Sequence, residues 1–320
     1  MDEGARLVDC FSRKYKSFEG RIYSCTNSAY LEGVLSSIVG GIEVKDIVDY
    51  ILDRPGDRKE IAHAVREICS SLYVTSGILD HALRKPYGYP GDFMIMEYIY
   101  DYLPHRKTSS NLGVALDEWA LSLNLPRAVR ARKNALVFLI HDLISRCKGE
   151  RFNLLSIGSG GARELRELPV HLLQKLDVTL IDRDSQALDF AETELLKVTP
   201  DVRISLVNND FHRVEMDKKF NLIYCFGLFD YLSDKVVVNC FRQFARNLTD
   251  SGNFVYCIKN SIQYNDWFYE LFADWRFVPR SIIDGARLLE DSDLELANMF
   301  SLESDIAAIY MAVKGSTSTL

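Results

Sequence analysis

The chain has 320 residues, 48% of them hydrophobic, enough for one large or two ordinary compact domains. Lysine and arginine number 38 and acids 45, so the net charge of −7 argues against a polyanion such as nucleic acid as the partner. No run of 18 apolar residues is present, so no transmembrane helix is expected, and the acidic opening "MDEGARLVDCF" lacks a signal-peptide pattern, which points to the cytoplasm. The seven cysteines (10, 25, 69, 147, 225, 240 and 257) form no CxxC pair, so they read as small packing residues, and no metal is expected.

Taken in chain order, residues 1–150 read as a helical region. In "GDRKEIAHAVREICSSLY", Ile61, Ala64, Val65, Ile68, Cys69 and Leu72 recur at helical spacing, and Asp57 with Glu60 fits a capping box. "KPYGYPGDFMIMEYIYD" follows, with Pro86 and Pro90 restricting the backbone and Gly88 and Gly91 freeing it around two bulky rings, Tyr87 and Tyr89. In "LPRAVRARKNALVFLIHDLISRCKG", Pro126 opens a helix, Leu136, Ile140, Leu143 and Ile144 share a face, and Gly149 ends it.

From residue 151 the rhythm changes. "FNLLSIG", "LDVTLID", "VRISLVNND", "FNLIYCFG" and "NFVYCIKN" are apolar runs of strand length, separated by helical segments such as "SQALDFAETELLK" and "KVVVNCFRQFARNL". Such alternation means a parallel sheet with both faces covered. "LELANMFSLESDIAAIYMAVKG" reads as a terminal hairpin, which closes the sheet with an antiparallel strand.

The chemistry gathers where strands end. "LLSIGSGGARELREL" runs strand, glycine turn, helix, and Gly158 and Gly160 let the backbone approach a ligand. The dinucleotide pattern G-x-G-x-x-G fails, because Arg163 stands at the third glycine. The looser G-x-G-x-G of S-adenosylmethionine enzymes fits better, with Ala162 in third place and Ser156 where an acid is usual. Asp182 ends the second strand, 24 residues after Gly158, where an acid accepts both ribose hydroxyls, while Asp184 caps the next helix. After the third strand, Asp210 can accept from an adenine amine with Phe211 beside the ring, or it is a turn acid. "FNLIYCFGLFDYLSD" brings the fourth strand to the same carboxyl edge.

Together these residues resemble a class I S-adenosylmethionine-dependent methyltransferase over about residues 150–315. That resemblance implies an α/β, Rossmann-like sheet of seven strands, the last antiparallel, with a helical cap region before it and residues 151–320 as the methyltransferase domain. "KPYGYPGD", "GLFDYLSD" and "DWFYELFADWRFVPR" are also similar to bacterial methyltransferases of 3-hydroxy fatty acid methyl ester biosynthesis, although Tyr87 stands where that family has arginine. The implied activity is O-methylation of a small, fatty-acid-like or natural-product carboxylic acid. Methylation of nitrogen or a hydroxyl, and a non-catalytic fold relative that binds S-adenosylmethionine, or nothing, and regulates a partner, remain as alternatives. The implied cofactor contacts are Gly158, Ser159, Gly160, Asp182, Arg183, Asp210, Phe211 and Phe226. Tyr89 and Asp92 would join them from a lid, the ring facing the sulfonium and the acid holding the methionine amine or anchoring the next helix.

A carboxylate acceptor is already ionised and needs no base, whereas an amine or hydroxyl acceptor does. Asp230 and Tyr231 after the fourth strand are the candidate catalytic residues. Tyr87, Tyr256, Lys259, Asn260 and Trp267 are candidate acceptor contacts, with Lys259 or Arg280 suited to an acid group. His81 and His212 are candidate bases that also read as ordinary surface or packing histidines. The oligomeric state is left open, a homodimer included.

Overall fold

In the computed structural model, the described residues are 58–101, 111–149, 151–214, 216–263, 266–302 and 305–315, with four isolated positions nearer the start. Asp57 of the expected capping box lies outside them, as do Cys10 and Cys25. The chain divides into two compact units, one formed by Met1–Pro126 with Asn265–Arg276 and the other by Arg127–Tyr264 with Phe277–Leu320. The division therefore falls before residue 150, and a late segment belongs with the helical unit.

In the helical unit, α1 (Arg58–Ile68), α2 (Ser70–Tyr73), α3 (Gly77–Arg84), α4 (Phe93–Asp101) and α5 (Asn111–Ser122) come first, and α6 (Asn124–Arg146) starts here. Ser76 caps α3, accepting from Leu79 N at 3.1 Å, and its hydroxyl donates to the buried Asp117. The late helix α11 (Asp266–Ala273) is tied in because Arg66 donates to Glu270 O at 3.1 Å and Tyr269 Oη donates to Asn124 Oδ1 at 2.8 Å. The aromatic run around α11 is thus partly a core feature, with Tyr269 and Trp275 both buried.

The other unit is a seven-stranded sheet. β1 (Phe152–Ile157), β2 (Leu176–Asp182), β3 (Arg203–Asn208), β4 (Phe220–Phe226), β5 (Leu248–Lys259), β6 (Leu294–Leu302) and β7 (Ala307–Lys314) stand in the order β3-β2-β1-β4-β5-β7-β6. β1 to β5 pair in parallel, and β7 inserts antiparallel between β5 and β6. The strand order reverses at β1 and β4, which places the switch point beside the glycine turn.

Alternate residues of each strand face opposite sides, as a pleat requires. Leu154, Val178, Leu180 and Leu222 pack with Leu136, Ile140 and Ile144 of α6 and with Leu188 and Leu195 of α9 (Ser185–Val198). Leu155, Ile157, Ile223 and Phe254 pack with Phe241 and Phe244 of α10 (Asp234–Asn247) on the other face. Short α7 (Arg163–Arg166), α8 (Val170–Leu173) and α12 (Ile282–Arg287) complete this unit. Among the described residues no helix is long and apolar enough to cross a membrane, and no group of three His, Cys, Asp or Glu side chains could hold a metal ion. Cys69, Cys225, Cys240 and Cys257 are buried free thiols, and burial pushes Cys69 and Cys257 up to about 12, so they stay protonated as packing residues.

Candidate functional site

The centre of the site is the turn after β1. Gly158 and Ser159 donate their amides to Ile181 O on β2, at 2.9 and 3.2 Å, which pins the turn to the neighbouring strand end. Gly158 and Gly160 hold φ of +62° and +50°, the left-handed region glycine tolerates. Ala162 also sits there, at φ +48°, so the third-place residue adopts the glycine conformation despite its methyl. Asp182, at the end of β2, accepts from Gly160 N at 2.9 Å through one oxygen and from Asp184 N at 3.0 Å through the other. Burial raises its carboxyl above the ordinary aspartate value, partly offset by those two amides. Asp184 itself caps α9 by accepting from Gln186 N at 2.9 Å.

The neighbouring loops define the rest of this edge. Asn208 anchors the end of β3 by donating to Asp182 O and Arg183 O at 3.1 and 3.0 Å. Asp210 is half-buried, and Phe211 is buried with Phe244 at 6.4 Å between ring centroids, so its ring belongs partly to the core. Phe226 ends β4 half-buried, edge-on to Tyr224, and Arg183 is exposed. Gly160 and Asp182 are therefore in direct contact, with Gly158 and Ser159 tied to Ile181 beside them, while Asp210 and Phe211 follow β3 and Phe226 ends β4 on the same edge.

Of the candidate catalytic and acceptor residues, Asp230 is buried at 4% exposure. It accepts from Lys259 N at 3.0 Å, and its carbonyl accepts from Val278 N at 2.8 Å, so it also joins the β4 and β5 ends. Tyr231 stacks on Phe277 at 5.5 Å, and the Lys259 ammonium lies 3.3 Å from the centroid of the same ring. Tyr256 does not face the edge. It is fully buried, stacked on Tyr310 at 4.7 Å, and donates its hydroxyl to Gly285 O at 2.9 Å, because its position on β5 points into the α10 side of the sheet. Asn260 holds a turn, donating to Asp305 O at 2.8 Å and accepting from Ile262 N at 3.2 Å. Arg280, suited in sequence to an acid ligand, is 3% exposed and donates to Asp234 and to the carbonyls of Phe229 and Leu232. His212 is exposed, and the side chain of Trp267 lies outside the described residues.

In the helical unit, the glycine–tyrosine stretch forms turns between α3 and α4, with Lys85, Gly88 and Gly91 at positive φ. Asp92 is buried and anchors α4, accepting from Met94 N and Ile95 N at 3.1 and 2.9 Å and pairing with His81 Nε2 at 2.9 Å. Tyr87 packs edge-on against Phe93 at 4.6 Å, and Tyr89 is half-buried. The same unit holds an apolar cavity of about 90 Å³, lined among others by Leu72, Ile95, Trp119, Leu121, Phe272 and Trp275.

Sequence reasoning missed Arg132 and Gly227. Arg132 lies on α6, with 14% of its side chain exposed, 4.0 Å from Asp230. Gly227, at φ +93°, follows β4, and a Cβ there would fall 2.8 Å from Arg132 Nη2. No local motif marks either residue, since each matters only beside the other.

Residues 154–252 match the family model described as a methyltransferase domain. A search of curated proteins by sequence found no match. By structure, the chain is similar to a possible exported protein from Bordetella parapertussis, with a TM-score of 0.60 and 16% identity over 70% of this chain and 80% of that one. Magnesium protoporphyrin IX methyltransferase from Synechocystis, with bound S-adenosylhomocysteine, aligns at TM-score 0.48 and 11% identity, covering 59% of this chain and 85% of that one. An S-adenosylmethionine-dependent methyltransferase from Clostridium acetobutylicum aligns at 0.45 and 13%, covering 58% and 92%.

Within the sheet unit, residues 154–252 are similar to a methyltransferase domain, and the methyl donor of that class, S-adenosylmethionine, is the group the glycine turn has to fit. The turn fits it in two respects. Ser159 Oγ is buried with no hydrogen-bond partner among the described residues, as expected of a group that meets a polar ligand. Asp182 puts an acid directly across the turn.

Proposed function

We propose that the protein transfers a methyl group from S-adenosylmethionine to a small carboxylic acid. The carrying observation is the turn of Gly158, Ser159 and Gly160, hydrogen-bonded to Asp182 where the parallel strand order reverses. When bound, S-adenosylmethionine supplies an electrophilic methyl on a sulfonium. Asp182 would accept the ribose hydroxyls, Ser159 and the turn amides would meet the methionine end, and Asp210 with Phe211 and Phe226 would flank the adenine, with Arg183 at the rim. As an enzyme drawing on this cofactor, the protein is expected in the cytoplasm.

An acid acceptor is favoured by what surrounds Asp230 and Tyr231. The Asp230 carboxylate already takes the Lys259 amide, which ill suits it as a general base, while the Lys259 ammonium offers a positive charge. A carboxylate nucleophile asks the protein only to align it and to exclude water. Calorimetric titration with S-adenosylmethionine on wild type and Asp182→Ala tests the cofactor, with micromolar binding expected only for wild type. Mass-spectrometric detection of methyl esters across a panel of acids then tests the acceptor. Methylation of amines or alcohols instead would replace the acid, and a wild type that does not bind would leave the regulatory alternative.

A further inference from the structure

We infer that the cavity inside the helical unit is a binding site for a small uncharged apolar ligand, about the size of a six-membered carbon ring. This inference does not rest on the methyltransferase reading. The cavity measures about 90 Å³, and helices α2 to α6 and α11 all reach it, through Leu72, Ile78, Ile95, Trp119, Leu125 and Phe272 in turn. Leu72, Ile78, Ile95 and Leu125 are 5%, 5%, 2% and 6% exposed, so the space lies inside the unit rather than in a surface groove. Voids in a close-packed interior are few and seldom exceed a water molecule. Here six helices enclose a much larger one, and α11 is supplied to its wall from far along the chain.

The wall sets the ligand's chemistry. A buried water needs roughly 10–15 Å³ of such space and two to four polar partners. Several waters would fit by volume, but among the described residues the wall is apolar and offers them nothing. Tyr269 lines the cavity with its hydroxyl already engaged, donating to Asn124 Oδ1 at 2.8 Å and accepting from Leu125 N at 3.3 Å. The Cys69 thiol on the same wall stays protonated, because burial pushes it up to about 12. A charged or strongly hydrogen-bonding ligand would lose its hydration here without replacement. Apolar cavities on the order of 100–150 Å³ stay dry and take up ligands the size of benzene. A ring seated here would touch α11 and the earlier helices at once, so binding stabilises the unit.

Two of the chain's three tryptophans, Trp119 and Trp275, line the cavity, which gives the test a local reporter. The full chain carrying Trp267→Phe is titrated with iodobenzene, whose heavy atom quenches indole emission on contact. Saturable quenching that toluene relieves is expected. Quenching that grows linearly and ignores toluene is collisional and would overturn the inference. Thermal unfolding of the wild type is the second readout and stands alone should Trp267→Phe not fold. Toluene at about ten times its dissociation constant should raise the midpoint by about 3–6 °C, and an unmoved midpoint overturns the inference. Ala120→Leu and Ala82→Leu fill the space from α5 and α3, and each should weaken iodobenzene by about ten-fold or more. Unchanged affinity in both would put the ligand elsewhere. Hexanoate at neutral pH, an apolar chain with a charged head, should bind at least about ten-fold more weakly than toluene. Equal binding would overturn the assignment to an uncharged ligand.

Discussion

Gly285→Ala tests the placement of Tyr256 in the core. Gly285 lies in α12, where alanine would ordinarily add about 1 kcal/mol of helix propensity. Here a Cβ would stand 2.4 Å from Tyr310 Oη and 2.7 Å from Tyr310 Cζ. The ring has little freedom to yield. Tyr310 is fully buried on β7, stacked at 11° to Tyr256, and its hydroxyl donates to Ile282 O at 2.7 Å. Overpacking of this kind costs about 1–3 kcal/mol, and disturbing the hydroxyl bonds to Ile282 O and Gly285 O adds about 1 kcal/mol each. Set against the propensity gain, the net loss is about 2–4 kcal/mol, a fall of roughly 5–15 °C in the melting of a unit of this size. Urea and thermal unfolding followed by circular dichroism measure it. In a Tyr310→Leu background the same alanine should cost less than half as much, because the obstructing ring is gone. If Gly285→Ala is as stable as wild type, the Tyr256–Tyr310 stack is not the fixed wall described here, and Tyr256 returns as a candidate acceptor contact.

Three other outcomes are expected. Burial raises the Asp182 carboxyl above 3.8, so it takes up a proton at a higher pH than an ordinary aspartate. Cofactor affinity should therefore fall on acidification through that raised value, while the apo fold gains from this one group as pH drops towards its unfolded value; calorimetry against pH, flat in Asp182→Asn, checks the first part. Arg280→Met strips the donors from the Phe229 and Leu232 carbonyls, and because Asp234 is mostly exposed the loss falls on those two carbonyls, about 2–4 kcal/mol in urea unfolding. Ala162→Gly relieves about 1–2 kcal/mol of left-handed strain but gives up a buried methyl worth about 0.8 kcal/mol and adds about 0.5–1 kcal/mol of unfolded-chain entropy. Stability should stay within about 1 kcal/mol of wild type with cofactor affinity retained; a large change in either would mean that the alanine is itself a determinant of the turn.

The sequence by itself determined the elements and the glycine turn at the sheet edge on which the candidate site is built. Strand-length apolar runs, the helical face of Leu136, Ile140 and Ile144, the cap at Asp184, the turn of Gly158 and Gly160 and the acid at Asp182 are all local signals, written within a few residues. Period-2 burial, helical spacing and capping chemistry act at that range, which is why these features could be read directly. Only the tertiary structure decided the rest. The insertion of β7 between β5 and β6 depends on pairing across about 50 residues, from Tyr256 to Tyr310. The same register turned Tyr256 inward, and the pull of buried carbonyls took Arg280 out of contention as a ligand group. The late helix α11 joined the helical unit through Arg66 and Asn124. Arg132 and Gly227 meet from opposite sides of β1 in sequence. A guanidinium on one helix and a missing Cβ on a distant loop carry no shared period or motif, so their pairing exists only where the fold brings them together.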